Sequence, residues 1–335
     1  MPATHSESIP RHASRVVALV VFPGVQLLDV AGPGDVFSMA EQFSVDACFD
    51  VVLVSASGGL IETTSGMEIN TRSIRQMAAE GIDTLILAGG SQQGLVAAIN
   101  DKELSAWVCR AAVSARRFGS VCAGSFALAQ WGLLDARKAT THWSVSALLG
   151  RLHPQTAVEA DAIYVRDGHI WTSGGVTSGI DMCLAMVEED LGLWVAARIA
   201  KQMILPLRRL GNQSQFSSIL EAQAGRYAAL VDWMRTHIRE AISINMLAEH
   251  VGESVRSFHR HFQAETGQSP AAFIEALRLQ LAREQLDAGE SLKAAARHAG
   301  FTSEQHLSKV FLRRSGMTAA QYRSTHKINM RAQDS

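Results

Sequence analysis

The sequence predicts an α/β sandwich followed by an all-α domain that holds two helix-turn-helix units. Three observations carry this. Short apolar runs alternate with helical stretches as far as about residue 205; a polar segment with Pro and Gly then breaks the rhythm; and beyond it one helix, turn, helix pattern occurs twice. A chain of 335 residues has room for two domains, and 47% apolar against 19% charged residues fits a folded protein with a sizeable core.

In the first half, Val16-Val-Ala-Leu-Val-Val-Phe22 ends in Pro23-Gly24, Val51-Val-Leu-Val-Ser55 follows, Thr84-Leu-Ile-Leu-Ala88 ends in Gly89-Gly90, and Arg117-Phe-Gly-Ser-Val121 ends at Cys122. Each run is too short for a helix, rich in Val, Ile and Leu, and closed by a turn signal, as buried strands of a parallel sheet are. Amphipathic stretches such as Leu95 to Arg116 lie between them. The segment Pro206-Leu-Arg-Arg-Leu-Gly-Asn-Gln-Ser-Gln215 marks a linker. The expected division is a lead-in over 1–14, an α/β domain over 15–205, a linker over 206–226, a helical domain over 227–325 and a tail over 326–335.

Beyond the linker, Leu230 to Ala241 is a helix candidate. Ile244-Asn-Met-Leu-Ala-Glu-His-Val-Gly252 and Leu292-Lys-Ala-Ala-Ala-Arg-His-Ala-Gly300 then repeat one plan. Each is a short helix closed by a glycine, followed by a capping serine (Ser254, Ser303) and a second helix. A long helix from Pro270 to Gly289 bridges the two units, which could place two recognition helices in successive major grooves. If Val255, Phe258 and Phe262 are buried, Arg256, His259 and Arg260 face outward. If Leu307, Val310 and Phe311 are buried, Gln305, His306 and Lys309 do so. These side chains can reach base edges and phosphates.

The formal charge of −1 divides unevenly, with −5 from Met1 to Gly225 and +4 from Arg226 to Ser335, and 7 of the 12 histidines fall in the second segment. A basic back half suits a polyanion. The 4 cysteines are spread singly, without C-x-x-C pairs or histidines at ligand spacing, so reduced thiols are expected and structural zinc is not. No run approaches the ~18 apolar residues of a membrane helix, and MPATHSESIPRHASR lacks the layout of a secretory signal. A cytoplasmic protein is expected.

Ala299-Gly-Phe-Thr-Ser-Glu-Gln-His-Leu-Ser-Lys-Val-Phe-Leu-Arg-Arg-Ser-Gly-Met-Thr-Ala-Ala-Gln-Tyr-Arg323 resembles the C-terminal signature of the AraC/XylS family of transcription regulators, and the first unit resembles its upstream half. The resemblance implies base-reading roles for Arg256, His259 and Arg260, and for Glu304, Gln305, His306 and Lys309. Glu304 is acidic where phosphate attraction favours a base; it either accepts from a cytosine amino group or starts its helix favourably.

The stretch Gly119-Ser-Val-Cys-Ala-Gly-Ser-Phe126 places Cys122 between a strand and a helix, where a helix N-terminus lowers a thiol pKa. With His142 on a possible strand and Asp29 after the first strand, it forms a candidate nucleophile, base and orienting acid. A buried inert thiol, a structural histidine and a capping aspartate are the plainer alternative. Residues Arg15 to Leu205 resemble the PfpI-type, glutamine-amidotransferase-like superfamily. That resemblance implies a flavodoxin-like sandwich with a nucleophile elbow and a pocket formed by Asp29, Gly89, Gly90, Cys122, Ala123, His142 and Trp143. Gly89-Gly-Ser-Gln-Gln-Gly94 lacks the ending of a phosphate loop, so neither nucleotide nor other cofactor is implied.

The expected function is ligand-responsive transcription regulation without turnover. Its expected partners are double-stranded operator DNA, a small effector, a second copy of the chain and RNA polymerase; the resemblance implies an effector of the nitrogen-containing metabolite class. The alternatives are a cysteine-dependent hydrolase or hydratase carrying a DNA-binding domain, and a redox or electrophile sensor at Cys122.

Overall fold

A computed structural model of the chain describes residues 14–44, 49–205, 213, 226–287, 289–315 and 318–323. The expected lead-in, linker and tail lie almost wholly outside these residues. Two compact units divide between Arg209 and Leu210.

In the first unit the apolar runs become the strands β1 (Arg15–Val20), β2 (Phe49–Ser55), β5 (Thr84–Leu87) and β6 (Arg117–Val121). Four further strands complete the sheet: β3 (Gly59–Glu62), β4 (Glu68–Ser73), β9 (Tyr164–Asp167) and β10 (Ile170–Ser173). The order is β3-β4-β2-β1-β5-β6-β10-β9. Strand β1 pairs in parallel with β2 (Val17 opposite Val51) and β5 (Val17 opposite Thr84), whereas β3 and β9 are antiparallel edges. A minor pair, β7 (Lys138–Ala139) with β8 (Ala157–Val158), lies outside this sheet.

Alternation along β1 divides the core. Val17 and Leu19 join the layer of α1 (Leu28–Ala40), α6 (Thr177–Leu191) and α7 (Leu193–Gln202); Ala18 and Val20 join that of α2 (Gln92–Asn100), α3 (Lys102–Ser114) and α4 (Gly124–Gln130). A short α5 (Ser146–Leu152) follows β7. The expected single stretch from Leu95 to Arg116 is two helices, because Asp101 leaves helical geometry and its side chain caps α3, accepting from the Leu104 N–H at 3.0 Å.

At the N-terminal ends of the strands, Asp190 from the end of α6 is enclosed by three arginines. Arg117 meets it at 2.6 Å, Arg116 at 2.7 Å and Arg15 at 3.3 Å. Arg117 also donates to Thr84 Oγ1 (3.0 Å) and the Met186 carbonyl (3.2 Å), which satisfies a guanidinium only 2% exposed.

The second unit comprises α8 (Ala228–Thr236), α9 (Ile244–His250), α10 (Val255–Thr266), α11 (Pro270–Asp287), α12 (Leu292–His298) and α13 (Glu304–Ser315). The expected helix to Ala241 stops at Thr236, the last residue before a turn over residues 237–239. Serine caps recur throughout: Ser243 accepts from Met246 N–H, Ser254 from Ser257, Ser291 from Ala294 and Ser303 from His306, all at 3.1–3.2 Å. Gly252 (φ +68°) and Gly300 (φ +73°) end α9 and α12 in the left-handed region. Each unit has its own core. Phe258, Phe262, Phe273 and Leu277 build the first, and Leu286, Leu307, Val310 and Phe311 the second.

Candidate functional site

Cys122 occupies the sharp turn between β6 and α4 with φ +55°, a conformation few non-glycine residues adopt. Its neighbours are small because larger ones do not fit. A Cβ on Gly89 would lie 2.8 Å from the Cys122 Cβ and 2.7 Å from Asp29 Oδ2; one on Gly175 would lie 2.7 Å from the sulfur. The Cys122 N–H donates to the Ser173 carbonyl (3.1 Å), and its carbonyl accepts from Thr141 Oγ1 (2.9 Å). The turn is therefore held from β10 and from the segment after β7.

Asp29 stands in the first turn of α1, 1% exposed. Its Oδ2 accepts from the Gly89 N–H (3.2 Å) and its Oδ1 from the Val176 N–H (2.8 Å). Val176 itself has φ +50°, costly for a β-branched residue, so the site contains two strained backbones. Burial raises the Asp29 pKa to about 6, against the pull of these two N–H groups. The Cys122 thiol, expected to be acidified by the start of α4, is instead pushed up to about 12. Burial is the main cause and the Asp29 charge adds to it; the Ala123 N–H opposes both and is outweighed. Burial thus works against the acidified thiol expected from the start of α4 and favours the protonated form beside Asp29.

His142 is not on a strand. It follows the two-residue β7 and caps a single 3-10 turn, Trp143–Val145, with Nδ1 hydrogen-bonded to Ser144 Oγ at 2.8 Å. Burial lowers its pKa, so the ring is neutral near pH 7. It enters the site's surroundings through Thr141, which binds the Cys122 carbonyl. Trp143 packs on the His142 ring at 5.4 Å and is exposed. Gly90 turns away from the sulfur: a Cβ there would meet the Gly24 carbonyl at 2.4 Å and Val25 Cα at 2.8 Å. Sequence reading missed Thr141, Gly175 and Val176. A glycine pair after β10 was visible, but nothing in the pattern signals a valine at positive φ. Two hydroxyls near the elbow, Ser120 on β6 and Ser173 on β10, are fully buried and find no hydrogen-bond partner among the described residues.

In the helical unit, Arg256, His259 and Arg260 on α10 and Gln305, His306 and Lys309 on α13 are exposed, while Glu304 is half-buried in the first turn of α13. Val255, expected in the buried stripe, is 44% exposed because it opens α10 ahead of the first buried turn at Phe258. A residue not anticipated from sequence holds the first turn together. Glu253 accepts from Tyr227 Oη (3.1 Å) and faces His261 Nδ1 (2.9 Å) and Arg226 (2.7 Å), tying α8 to the turn and to α10. Among the described residues no group of His, Cys, Asp or Glu has the make-up of a metal site, and no helix is long and apolar enough to cross a membrane.

The model of the DJ-1/PfpI family matches residues 15–189, from β1 nearly to the end of α6. The chain belongs to the DJ-1/PfpI family. A helix-turn-helix domain matches residues 247–325 of this DJ-1/PfpI protein, from within α9 of the first unit through all of the second. Two relatives represent the two halves of the problem. The HTH-type transcriptional regulator GbdR of Pseudomonas aeruginosa is 27% identical over 301 residues, 88% of this chain and 80% of its own length. The isonitrile hydratase of Pseudomonas putida is 31% identical over 229 residues, 67% of this chain and 94% of its own. Among solved structures, a THiJ/PfpI family protein from Pseudomonas syringae superposes with a TM-score of 0.54 at 25% identity, covering 75% of this chain and 96% of that one. Together, the matches make this DJ-1/PfpI protein a DNA-binding regulator with an AraC-type helix-turn-helix domain.

Proposed function

We propose that the α/β domain senses a small nitrogen-containing metabolite at the Cys122–Asp29 site, without turning it over, and that the ligand sets how the helical domain engages its operator. The observation that carries this reading is the pairing of two serine-capped helices, with Arg256, His259, Arg260, Gln305, His306 and Lys309 outward, with a strained Cys122 turn against the buried Asp29 carboxyl. Asp29, Cys122, Ala123, Gly89, His142 and Trp143 are the ligand contacts in this reading, with Gly90 supporting the turn from behind. A buried carboxylate and an exposed tryptophan beside a neutral imidazole suit a cationic nitrogen. The ligand acts by binding one arrangement of the protein more tightly than another. The working form is a cytoplasmic homodimer on paired sites, in contact with RNA polymerase.

Thermal-shift screening of the full chain against metabolites, followed by operator binding with and without each hit, tests the sensing role. Cys122→Ser keeps ligand-dependent DNA binding if the thiol only lines the pocket. The isonitrile hydratase relative supports a second reading, in which Cys122 is a nucleophile; turnover of an isonitrile by the wild type, lost in Cys122→Ser, would establish it. For the DNA side, Arg260→Ala and Lys309→Ala each weaken binding by about 1–3 kcal/mol, and affinity falls steeply with salt. Binding indifferent to both changes overturns the reading.

A further inference from the structure

Besides the outward cations of α10 and α13, two groups of basic residues stand out in the helical domain. Arg226 is paired with Glu253, and Arg313 and Arg314 with Glu275. A second group lines a cavity of about 910 Å³: Arg239, Arg278, Lys293 and Arg297, with Glu240 and Glu304 as the acids in the same lining. Among the described residues none of these four cations is paired with a carboxylate. Arg239, Lys293 and Arg297 are exposed. Arg278 reaches in from the middle of α11; its Nη2 donates to the Glu240 carbonyl (2.9 Å), while its Nε is buried without a partner. Cations that merely solubilise a surface need no cavity, and cations that hold a fold together are paired, as the first group is.

The cavity's place says what it faces. One wall is the segment Arg239 to Ile242, which leads into the capped start of α9 in the first unit; the other is α12 and the turn from Gly300 to the start of α13 in the second. It also includes Gln305, one of the exposed residues of α13, so the cavity borders the face of that helix read here as DNA-contacting. Two recognition helices in successive major grooves, about 34 Å apart, leave a sugar–phosphate backbone crossing between them.

We propose that this cleft is a phosphate clamp for the DNA backbone between the two half-sites, with Arg239, Lys293 and Arg297 contacting phosphate and Arg278 held at its floor. The assignment rests on the reading of both helix-turn-helix units as DNA-binding. It gives the cleft a sequence-independent role: it fixes the spacing of the two readers on the duplex while Arg260 and the outward face of α13 select bases.

The test uses the full chain and two duplexes of equal length, one selected by the wild type from a random pool and one unselected. Arg239→Gln, Lys293→Gln and Arg297→Gln are each expected to weaken binding about three- to tenfold on both duplexes and to reduce the slope of log affinity against log salt by about one. The ratio between the duplexes stays constant, whereas Arg260→Ala lowers it. Methylphosphonate substitution of the backbone between the half-sites should then erase the difference between wild type and Arg297→Gln. If a glutamine variant fails to fold by thermal melting, the charge-keeping exchange at the same position, Arg239→Lys, Lys293→Arg or Arg297→Lys, is measured in its place and should bind as the wild type does. Unchanged affinity and salt slope in all three glutamine variants, or losses confined to the selected duplex, overturn the clamp. A wild type that binds neither duplex overturns instead the DNA-binding reading beneath it.

Discussion

At Cys122 and Asp29, two buried groups compete over protonation, and the outcome is measurable. The Asp29 pKa rises from 3.8 in the unfolded chain to about 6 in the fold, so the folded state binds the proton more tightly. Its stabilising contribution is full below the unfolded value and is lost as pH rises through the folded one, a change of about 3 kcal/mol. Thermal melting from pH 4 to pH 7 should therefore show a decline that is much flatter in Asp29→Asn; parallel curves would refute the assignment. The same substitution removes the charge opposing a thiolate at Cys122, so alkylation at pH 7 should be faster in the variant and, in the wild type, slower than in a free thiol. The position of Cys122 was legible, since an apolar run closed by a cysteine and two small residues reads as a tight turn after a strand. Its acidity was not: the effect of a helix start can be written from sequence, but burial and the distance to Asp29 cannot.

Among the elements, the two helix-turn-helix units share their caps yet differ at one glycine. A Cβ on Gly252 would meet nothing within 4 Å, while one on Gly300 would lie 2.0 Å from the Ile238 carbonyl. Gly252→Ala should cost only the left-handed backbone, about 1–2 kcal/mol, and Gly300→Ala distinctly more, because backbone from the segment after α8 has to move. Urea titration of both variants checks this, and equal losses would argue against the close approach. The paired helices of the two units were readable because capping serines, closing glycines and apolar spacing agree in both, Val255 excepted. The strands β3, β4, β9 and β10 were not, since β3, β4 and β9 mix exposed and buried residues and β10, though buried throughout, is only four residues long. Nor was the break at Asp101, where periodicity continues across a residue whose side chain ends one helix's register and starts the next.

For the molecule as a whole, the cluster of Arg15, Arg116 and Arg117 around Asp190 closes the N-terminal end of the sheet. Asp190→Asn leaves a buried guanidinium uncompensated and should lower stability by about 3–5 kcal/mol in chemical denaturation; a loss under about 1 kcal/mol would show the pairing to be incidental. Sequence alone places Arg15, the Arg116-Arg117 pair and Asp190 far apart in the chain and gives no reason to join them. The two-domain plan was legible for a broader reason, because a change of periodicity and of charge sign needs no knowledge of contacts. A different consequence follows from α11, whose Phe273 and Leu277 belong to one core and whose Ala282 and Leu286 belong to the other. Two cores on one rod can open one at a time, so amide exchange in the helical domain should resolve into two protection classes. On DNA, one reader can then let go while the other remains, at high effective concentration for rebinding, which lets the protein step along a duplex without leaving it.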